Sequence, residues 1–413
     1  MSEWQQFRLG DICTVYDGPH ATPKKTNAGP IFLGIFNLAN GRLDFSKIAH
    51  LSDEDFIQWT RRITPQAGDI VFSYETRIGE AAIIPPGLRC CLGRRMGLLR
   101  LDRTKVDPKF MLYAYLGPEF QATLHSRTIH GSTVDRLSIN ELPSYPIRLP
   151  PLPTQRRIAE ILGRLDDKIE VNQRINRTLE QMAQALYKHW FVDFGPFQDG
   201  AFVESEVGLI PAGWSVKPIG EVCNLTMGLS PKSKFYNEDG EGLPFHQGVT
   251  DFGDRFPIHR RFCVVSPRVA ETGDILISVR APVGRINIAD RKMVIGRGLA
   301  ALSHKQGYNS FLLYQLKRIF AIEDSMGSGT IFRAISKKDL QGLKLISPPD
   351  SVVSDFDRRV SVYDRRITSS TIESRQLAAT RDYLLPKLLS GAVDVSGSIL
   401  DEDEFVGQGE LAG

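Results

Sequence analysis

Cysteine is scarce in this 413-residue chain, and its pattern excludes more than it suggests. There are five, an odd number; Cys90 and Cys91 are adjacent, and no C-x-x-C occurs. A disulfide framework and ordinary zinc-ribbon spacing are therefore excluded, and the thiols are expected to be reduced and buried in a cytoplasmic protein. No apolar run approaches the roughly 18 residues of a membrane span. The start, "MSEWQQFRLG", has no basic segment leading into an apolar stretch, so it does not read as a signal peptide. Neither sign of charge dominates: 51 Lys and Arg face 48 Asp and Glu, for a net +3 and a pI near 8.5. So mild a balance does not itself mark a nucleic-acid binder, and any such role must come from local patches.

Catalytic signatures are missing as well. There is no P-loop, and the dipeptide Gly-Lys never occurs; H-E-x-x-H and G-x-S-x-G are also absent. The eight histidines are scattered without metal-ligand spacing, so His50, His125 and His130 read as surface or core residues, and no metal site is expected. "SPPD" at Ser347 approaches a methyltransferase motif but lacks the aromatic residue that would stack on a flipped base. Asp69 and Asp274 each sit in "GDI", better read as a turn into a strand than as a carboxylate cluster for Mg²⁺. These absences favour a binding protein without catalytic residues of its own.

What is present is ordinary globular material, 42% hydrophobic and 24% charged, in a chain long enough for two domains. The chain also repeats itself. "EWQQFRLGDICTVYDG" returns as "GWSVKPIGEVCNLTMG", matching Trp4 with Trp214, Cys13 with Cys223 and Gly18 with Gly228. "PIFLGIFN" is answered by "PFHQGVTD", placing Gly34 on Gly248, and "GDIVFSYETRIGEAAI" by "GDILISVRAPVGRINI". "CLGRR" matches "VIGRG", and "GSTVDRLSINELPSYPIRLPP" matches "GTIFRAISKKDLQGLKLISPP". Each half thus holds a globular α+β unit, a double-proline exit and a long helix. Short β-type runs such as "DIVFS" and "DILIS" are broken by Gly and Pro. One amphipathic helix is expected late in each unit, near "PKFMLYAYLGPEFQATL" and "NSFLLYQLKRIFAIE".

The long helices carry a heptad stripe. The first seam runs Ile158, Leu162, Leu165, Ile169, Asn172, Asn176, Leu179, Ala183, Leu186, Trp190, in alternating steps of four and three. The second runs Phe356, Val360, Tyr363, Ile367, Ser370, Ser374, Leu377, Arg381, Leu384, with Arg381 the one break in kind. Thr154 and Ser354 are the expected N-caps, and Pro386 should kink or stop the second helix. A polar pair sits near the middle of both seams, so pairing the helices centre to centre would place polar against polar and fix the register. The seam alone does not choose between parallel and antiparallel.

Basic residues recur where the repeats correspond. The first unit has Arg77, Arg94, Arg95, Arg100 and Arg103; the second has Arg280, Arg285, Arg291, Lys292 and Arg297, with Arg94 matching Arg297. The Gly-rich turns "HGSTVDR" and "GSGTIFR" offer Ser132, Thr133, Ser328 and Thr330 as hydroxyl donors, on backbone that can approach a phosphate. Arg is the usual reader of guanine. Lys24, Lys25, Lys232 and Lys234 follow the early Gly turns and are candidates for phosphate contact.

At this point the chain resembles the specificity subunit of type I restriction-modification systems over nearly its whole length. The resemblance rests on "LPPLPTQRRIAEILGRLDDKIEVNQRINRTLEQMAQALYKHWFVDFGP", "GLIPAGWSVKPIGEV", the two "GDI" strand starts and "RDYLLPKLLSGAV". The second helix departs from the pattern, lacking the P-x-x-x-Q lead-in of the first. The resemblance implies target-recognition domains at 1–152 and 213–349, each reading one half of a split, asymmetric DNA site. It implies a central helix at 153–194, a linker at 195–212 and a second helix at 350–390, the two helices pairing as an antiparallel coiled-coil spacer. The acidic, Gly-containing tail at 391–413 is expected to be flexible.

As partners the resemblance implies double-stranded DNA, two methyltransferase subunits carrying S-adenosylmethionine, and restriction subunits using ATP and Mg²⁺. No cofactor is expected on this chain, and no membrane. Physics agrees with the outline. A pseudo-twofold pair suits the dyads of a duplex and favours antiparallel helices. Helices of roughly 50 Å can space domains over groove faces about 34 Å apart. Two other readings stay open: an unrecognised DNA-modifying enzyme, and a scaffold that holds two partner subunits without DNA selectivity.

Overall fold

The computed structural model describes residues 4–131, 134–325 and 334–395, with the side chains of 321–325 left aside. The chain divides into two compact units, Met1–Val171 with Glu373–Gly413, and Asn172–Ile372. Each long helix is shared: Leu152–Phe191 and Asp350–Ser390 both contribute part of their length to each unit.

The repeat is structural. In the first unit Cys13–Asp17, Met96–Leu101, Ile70–Ser73 and Ala81–Ile83 form a four-stranded antiparallel sheet in that order. In the second, Cys223–Met227, Leu299–His304, Ile275–Ser278 and Ile286–Ile288 do the same. Both "GDI" segments are turns: Gly68 and Gly273 have φ of 87° and 88°, and Asp69 and Asp274 accept the N–H groups of Gln66 and Glu271. A second sheet in each unit pairs Thr26–Leu33 in parallel with Cys90–Leu92, and Leu243–His246 with Met293–Ile295.

Here the structure corrects the sequence alignment by one residue. Leu33 lies opposite Leu92 and His246 opposite Ile295, both two residues before the matched arginines. Gly34 and Gly248 still cap equivalent 3-10 turns, Ile35–Asn37 and Val249–Asp251. The second unit therefore holds one extra residue between strand and turn, Gln247.

Other expectations shift for local reasons. The late helix of the first unit is two helices, Pro108–Leu116 and Pro118–Ser126, because Pro118 forces Gly117 out of the helical region (ψ 153°). Its counterpart Asn309–Ser325 has no such break. The first long helix begins before Thr154, since Pro153 is tolerated in a first turn; Thr154 is inside the helix, not its cap. Ser354 likewise lies within the second helix. Pro386 does not end that helix, which runs to Ser390. The carbonyl Pro386 leaves without a donor belongs to the exposed Asp382, and Leu388 is buried in the core of the first unit. Residues 195–212 carry a hairpin, Phe202–Ser205 with Gly208–Pro211.

The core of the first unit combines Ile12, Phe72, Phe110 and Tyr115 with Ile158, Leu162 and Leu388 of the long helices. That of the second packs Trp214, Phe311 and Tyr314 against Ala183, Tyr187, Phe191, Phe356 and Val360. Every predicted seam residue is buried or half-buried. In the second unit Asn172 and Ser370 are fully enclosed. Asn172 Nδ2 donates to the Ser370 carbonyl at 3.4 Å, Ser370 Oγ to Asn176 Oδ1, and Asn176 Nδ2 to Thr371 Oγ1 at 3.1 Å. In the first unit Arg381, the odd seam residue, is explained by Asp166, whose Oδ1 it meets at 2.7 Å.

A second repeated device fixes sheet loops to helices inside each unit. Tyr113 donates to Asp166 Oδ2 at 2.6 Å, while Arg42 reaches the Asp166 carbonyl and Glu170. In the second unit Tyr314 donates to Asp364 at 3.2 Å, and Arg255 bonds both Asp364 and Glu180. Burial and the adjacent carboxylates push both tyrosine hydroxyls up, so they remain donors. Arg42 is 36% exposed, whereas Arg255 is nearly enclosed at 8%.

Candidate nucleic-acid interface

In each unit several loops converge at the strand ends through backbone hydrogen bonds. In the first, Gly18 N–H donates to Met96 at 3.0 Å, Gly93 to Leu33 at 2.7 Å and Tyr74 to Arg95 at 3.1 Å. Leu137 donates to Tyr74 at 2.8 Å, which brings in the segment after the "HGSTVDR" turn. In the second, Gly228 donates to Leu299 at 2.9 Å, Gly296 to His246 at 2.8 Å, Val279 to Gly298 at 2.9 Å and Ile335 to Val279 at 2.9 Å. The bonding plan is the same, residue for residue. Glycine is needed for the approach: a Cβ on Gly18 would lie 2.2 Å from the Met96 carbonyl, and one on Gly228 2.1 Å from that of Gly296.

Arg94 and Arg297 stand at equivalent turns of the two clusters. Both are exposed, and among the described residues neither side chain has a hydrogen bond or ion pair. A cation held out on rigid, glycine-tight backbone is suited to a phosphate or to a guanine edge. Arg280 is also exposed, its backbone bridged to Ala334. Lys24, Lys25, Lys232 and Lys234 are exposed on the stretches after the Gly turns, with Lys234 lying over the Phe235 ring.

Arg77 and Arg95 are in the first cluster but engaged. Arg95, at φ 70°, pairs with Glu75 at 3.0 Å and donates to Thr76 Oγ1; Arg77 donates to the Ile35 carbonyl and to Glu80. Ser132, Thr133, Ser328 and Thr330 lie outside the described residues. Arg100 and Arg103 are not part of the cluster. Arg100 grips the buried Asp69 with two bonds, at 3.2 and 2.7 Å, and Arg103 donates to the Ala67 carbonyl, so both brace the Gly68 turn. Lys292 pairs with Glu271 at 2.6 Å. Among the described residues no three His, Cys, Asp or Glu side chains form a group that could hold a metal. No helix is long and apolar enough to cross a membrane, again among those residues.

The model of the type I restriction modification DNA specificity domain matches residues 1–181 and 211–370, once per repeat. The chain belongs to this family. Two relatives match over most of their own length. One, named putative type I restriction enzyme MjaX specificity subunit, from Methanocaldococcus jannaschii, is 33% identical over 95% of this chain and 94% of its own. The other, the type I restriction enzyme HindI specificity subunit of Haemophilus influenzae, is 22% identical over 95% of this chain and all of its own. A crystal structure of a type I restriction-modification S subunit from M. genitalium shares the fold, with a TM-score of 0.61 at 18% identity over 94% of this chain and 96% of that one.

Within this specificity chain, sequence reasoning missed Gln247, Ser230 and the Tyr–Asp–Arg sets that carry the loops. The sets left a signal. Tyr113 and Tyr314 align in "FMLY" and "FLLY", and Asp166 and Asp364 follow matched seam positions.

Proposed function

We propose that this specificity subunit reads a bipartite, asymmetric site on double-stranded DNA, one half with each loop cluster. The repeated placement of Arg94 and Arg297, exposed and without a side-chain partner among the described residues, on the same glycine-tight turn, is the observation that carries this reading. Because the two clusters differ in side chains on one backbone plan, the two half-sites differ in sequence. Exposed Lys24, Lys25, Lys232, Lys234 and Arg280 contact phosphates and set the docking, while base edges are read from the turns. Ser132, Thr133, Ser328 and Thr330 remain candidates as hydroxyl donors on the neighbouring turns.

In the same proposal the long helices pair as an antiparallel coiled coil and hold the half-sites at a fixed spacing. The enclosed Asn172 and Ser370 and the half-buried Asn176 favour helix pairing in a single register, since a polar layer fixes register. Two methyltransferase subunits and restriction subunits dock on the chain and bring S-adenosylmethionine, ATP and Mg²⁺; the chain itself binds none of these and catalyses nothing. Selection of bound fragments from a random DNA pool by the complex with co-expressed methyltransferase subunits tests the proposal. One split motif with a constant gap is expected. Binding of the partner subunits without any enriched motif would replace this reading with a scaffold.

A further inference from the structure

The second unit differs from the first by one inserted residue, and that residue lies in the candidate interface. Gln247 follows the strand Leu243–His246 and precedes the 3-10 turn that begins at Val249. The first unit passes from Leu33 directly to Gly34 at the same point, so Gln247 has no counterpart there.

Gln247 is exposed, yet it is held from several sides. Ser230 Oγ lies 2.8 Å from its Oε1, and the Arg297 N–H donates to the same Ser230 Oγ at 3.1 Å. A hydroxyl has a single proton, and this one goes to the Gln247 amide oxygen. Oε1 takes that hydrogen bond, and Nε2 has no hydrogen-bond partner among the described residues. The backbone is clamped too. Gly298 N–H donates to the Gln247 carbonyl at 3.1 Å. A Cβ on Gly296 would fall 2.8 Å from Gln247 Oε1, and one on Gly298 2.5 Å from the carbonyl. Beneath, His246 is buried and bonded to His259 at 3.0 Å, and His259 to Asp290 at 2.9 Å.

A primary amide presented this way offers two N–H donors and a spare acceptor lone pair side by side. That is the pattern complementary to the N7 acceptor and N6 amino group of adenine in the major groove. We infer that Gln247, aligned by Ser230 beside Arg297, is a base-reading residue of the second recognition unit and specifies an adenine in one half-site only. The inference rests on the proposed DNA-reading role.

The test uses the complete complex with its methyltransferase subunits, loaded with wild-type chain, Gln247→Ala, Gln247→Glu or Ser230→Ala, and DNA pools that randomise each half-site. Gln247→Ala is expected to lower the preference for adenine at one position of one half-site about ten- to a hundredfold. Gln247→Glu removes the donor and should turn selection away from adenine there, and Ser230→Ala should give a smaller loss at the same position. The other half-site and the gap should be unchanged, which also reports correct folding. An unaltered motif for Gln247→Ala overturns the inference while leaving the proposed function intact. Equal loss at both half-sites overturns it too, because Gln247 would then act on assembly. Absence of any motif with the wild-type chain would instead overturn the proposed function, and this inference with it.

Discussion

Removing the Arg255 side chain isolates the physics that holds the second recognition unit to its helix segments. Arg255 is 8% exposed and bonds Glu180 and Asp364, which are 21% and 17% exposed. Lys317 adds a second cation on Glu180, and Ser310 a hydroxyl on Asp364. Two cations therefore balance two carboxylates. Arg255→Met leaves those carboxylates, about four-fifths removed from water, with Lys317 alone. Breaking a buried pair from one side costs about 3–5 kcal/mol, most of it the desolvation of the stranded charge. For a unit of this size each kcal/mol moves a melting midpoint by about 2–4 °C, so the transition of the second unit should fall by roughly 6–20 °C. Calorimetry of the full chain reads this directly, because the first unit supplies an internal reference transition. Arg255→Lys should fall between, keeping charge but losing the planar fork.

The pH dependence gives a second reading of the same network. Burial raises the Glu180 carboxyl, but Lys317 and Arg255 outweigh it and hold the group below its ordinary 4.5. A folded value below the unfolded one contributes stability that is complete above about pH 4.5 and is lost as pH falls through the folded value. The gap between wild type and Arg255→Met should narrow on acidification below that point. A loss under about 1 kcal/mol at neutral pH, or a gap independent of pH, would refute the reasoning and mean that water already solvates the carboxylates.

Three further outcomes are expected. Arg94→Ala and Arg297→Ala should each weaken binding of the complex to its DNA; if the contact is to phosphate, the log–log salt slope should drop by about one, and if to a base, one half-site should relax instead. Inserting one heptad into both long helices adds about 10 Å of rise and should lengthen the unread gap by about three base pairs, whereas an unchanged gap in the mapped motif would end the spacer role. The five cysteines are free and buried, and burial pushes Cys13, Cys90, Cys91 and Cys223 up to about 12. A thiol reagent at neutral pH should therefore label the folded chain far more slowly than the unfolded one.

Much of the architecture is legible in the sequence because it is written twice. The "GDI" turns, the paired strands and the matched arginines appear as repeats, and heptad spacing marks both long helices. Their ends were harder to read. Pro153 and Pro386 look like boundaries, yet a first-turn proline costs little, and Leu388 in the core carries the second helix past Pro386. The candidate interface was half legible. Arg94 and Arg297 stand in matching motifs, but nothing local distinguishes them from Arg100, whose partner Asp69 lies 31 residues away in sequence. Gln247 was hidden by the alignment of Gly34 with Gly248, which is correct for the turns and off by one for the strands. The pairing of Leu33 with Leu92 and His246 with Ile295 reveals the insertion.

The central claim is that this chain gives a partner methyltransferase its DNA sequence. It is tested most directly by a genome-wide map of methylated adenines, made by long-read sequencing of the source cell with and without the gene. Loss of methylation at one split motif with a fixed gap, and nowhere else, is the predicted result. An unchanged map in cells that express the chain with its methyltransferase subunits would contradict it.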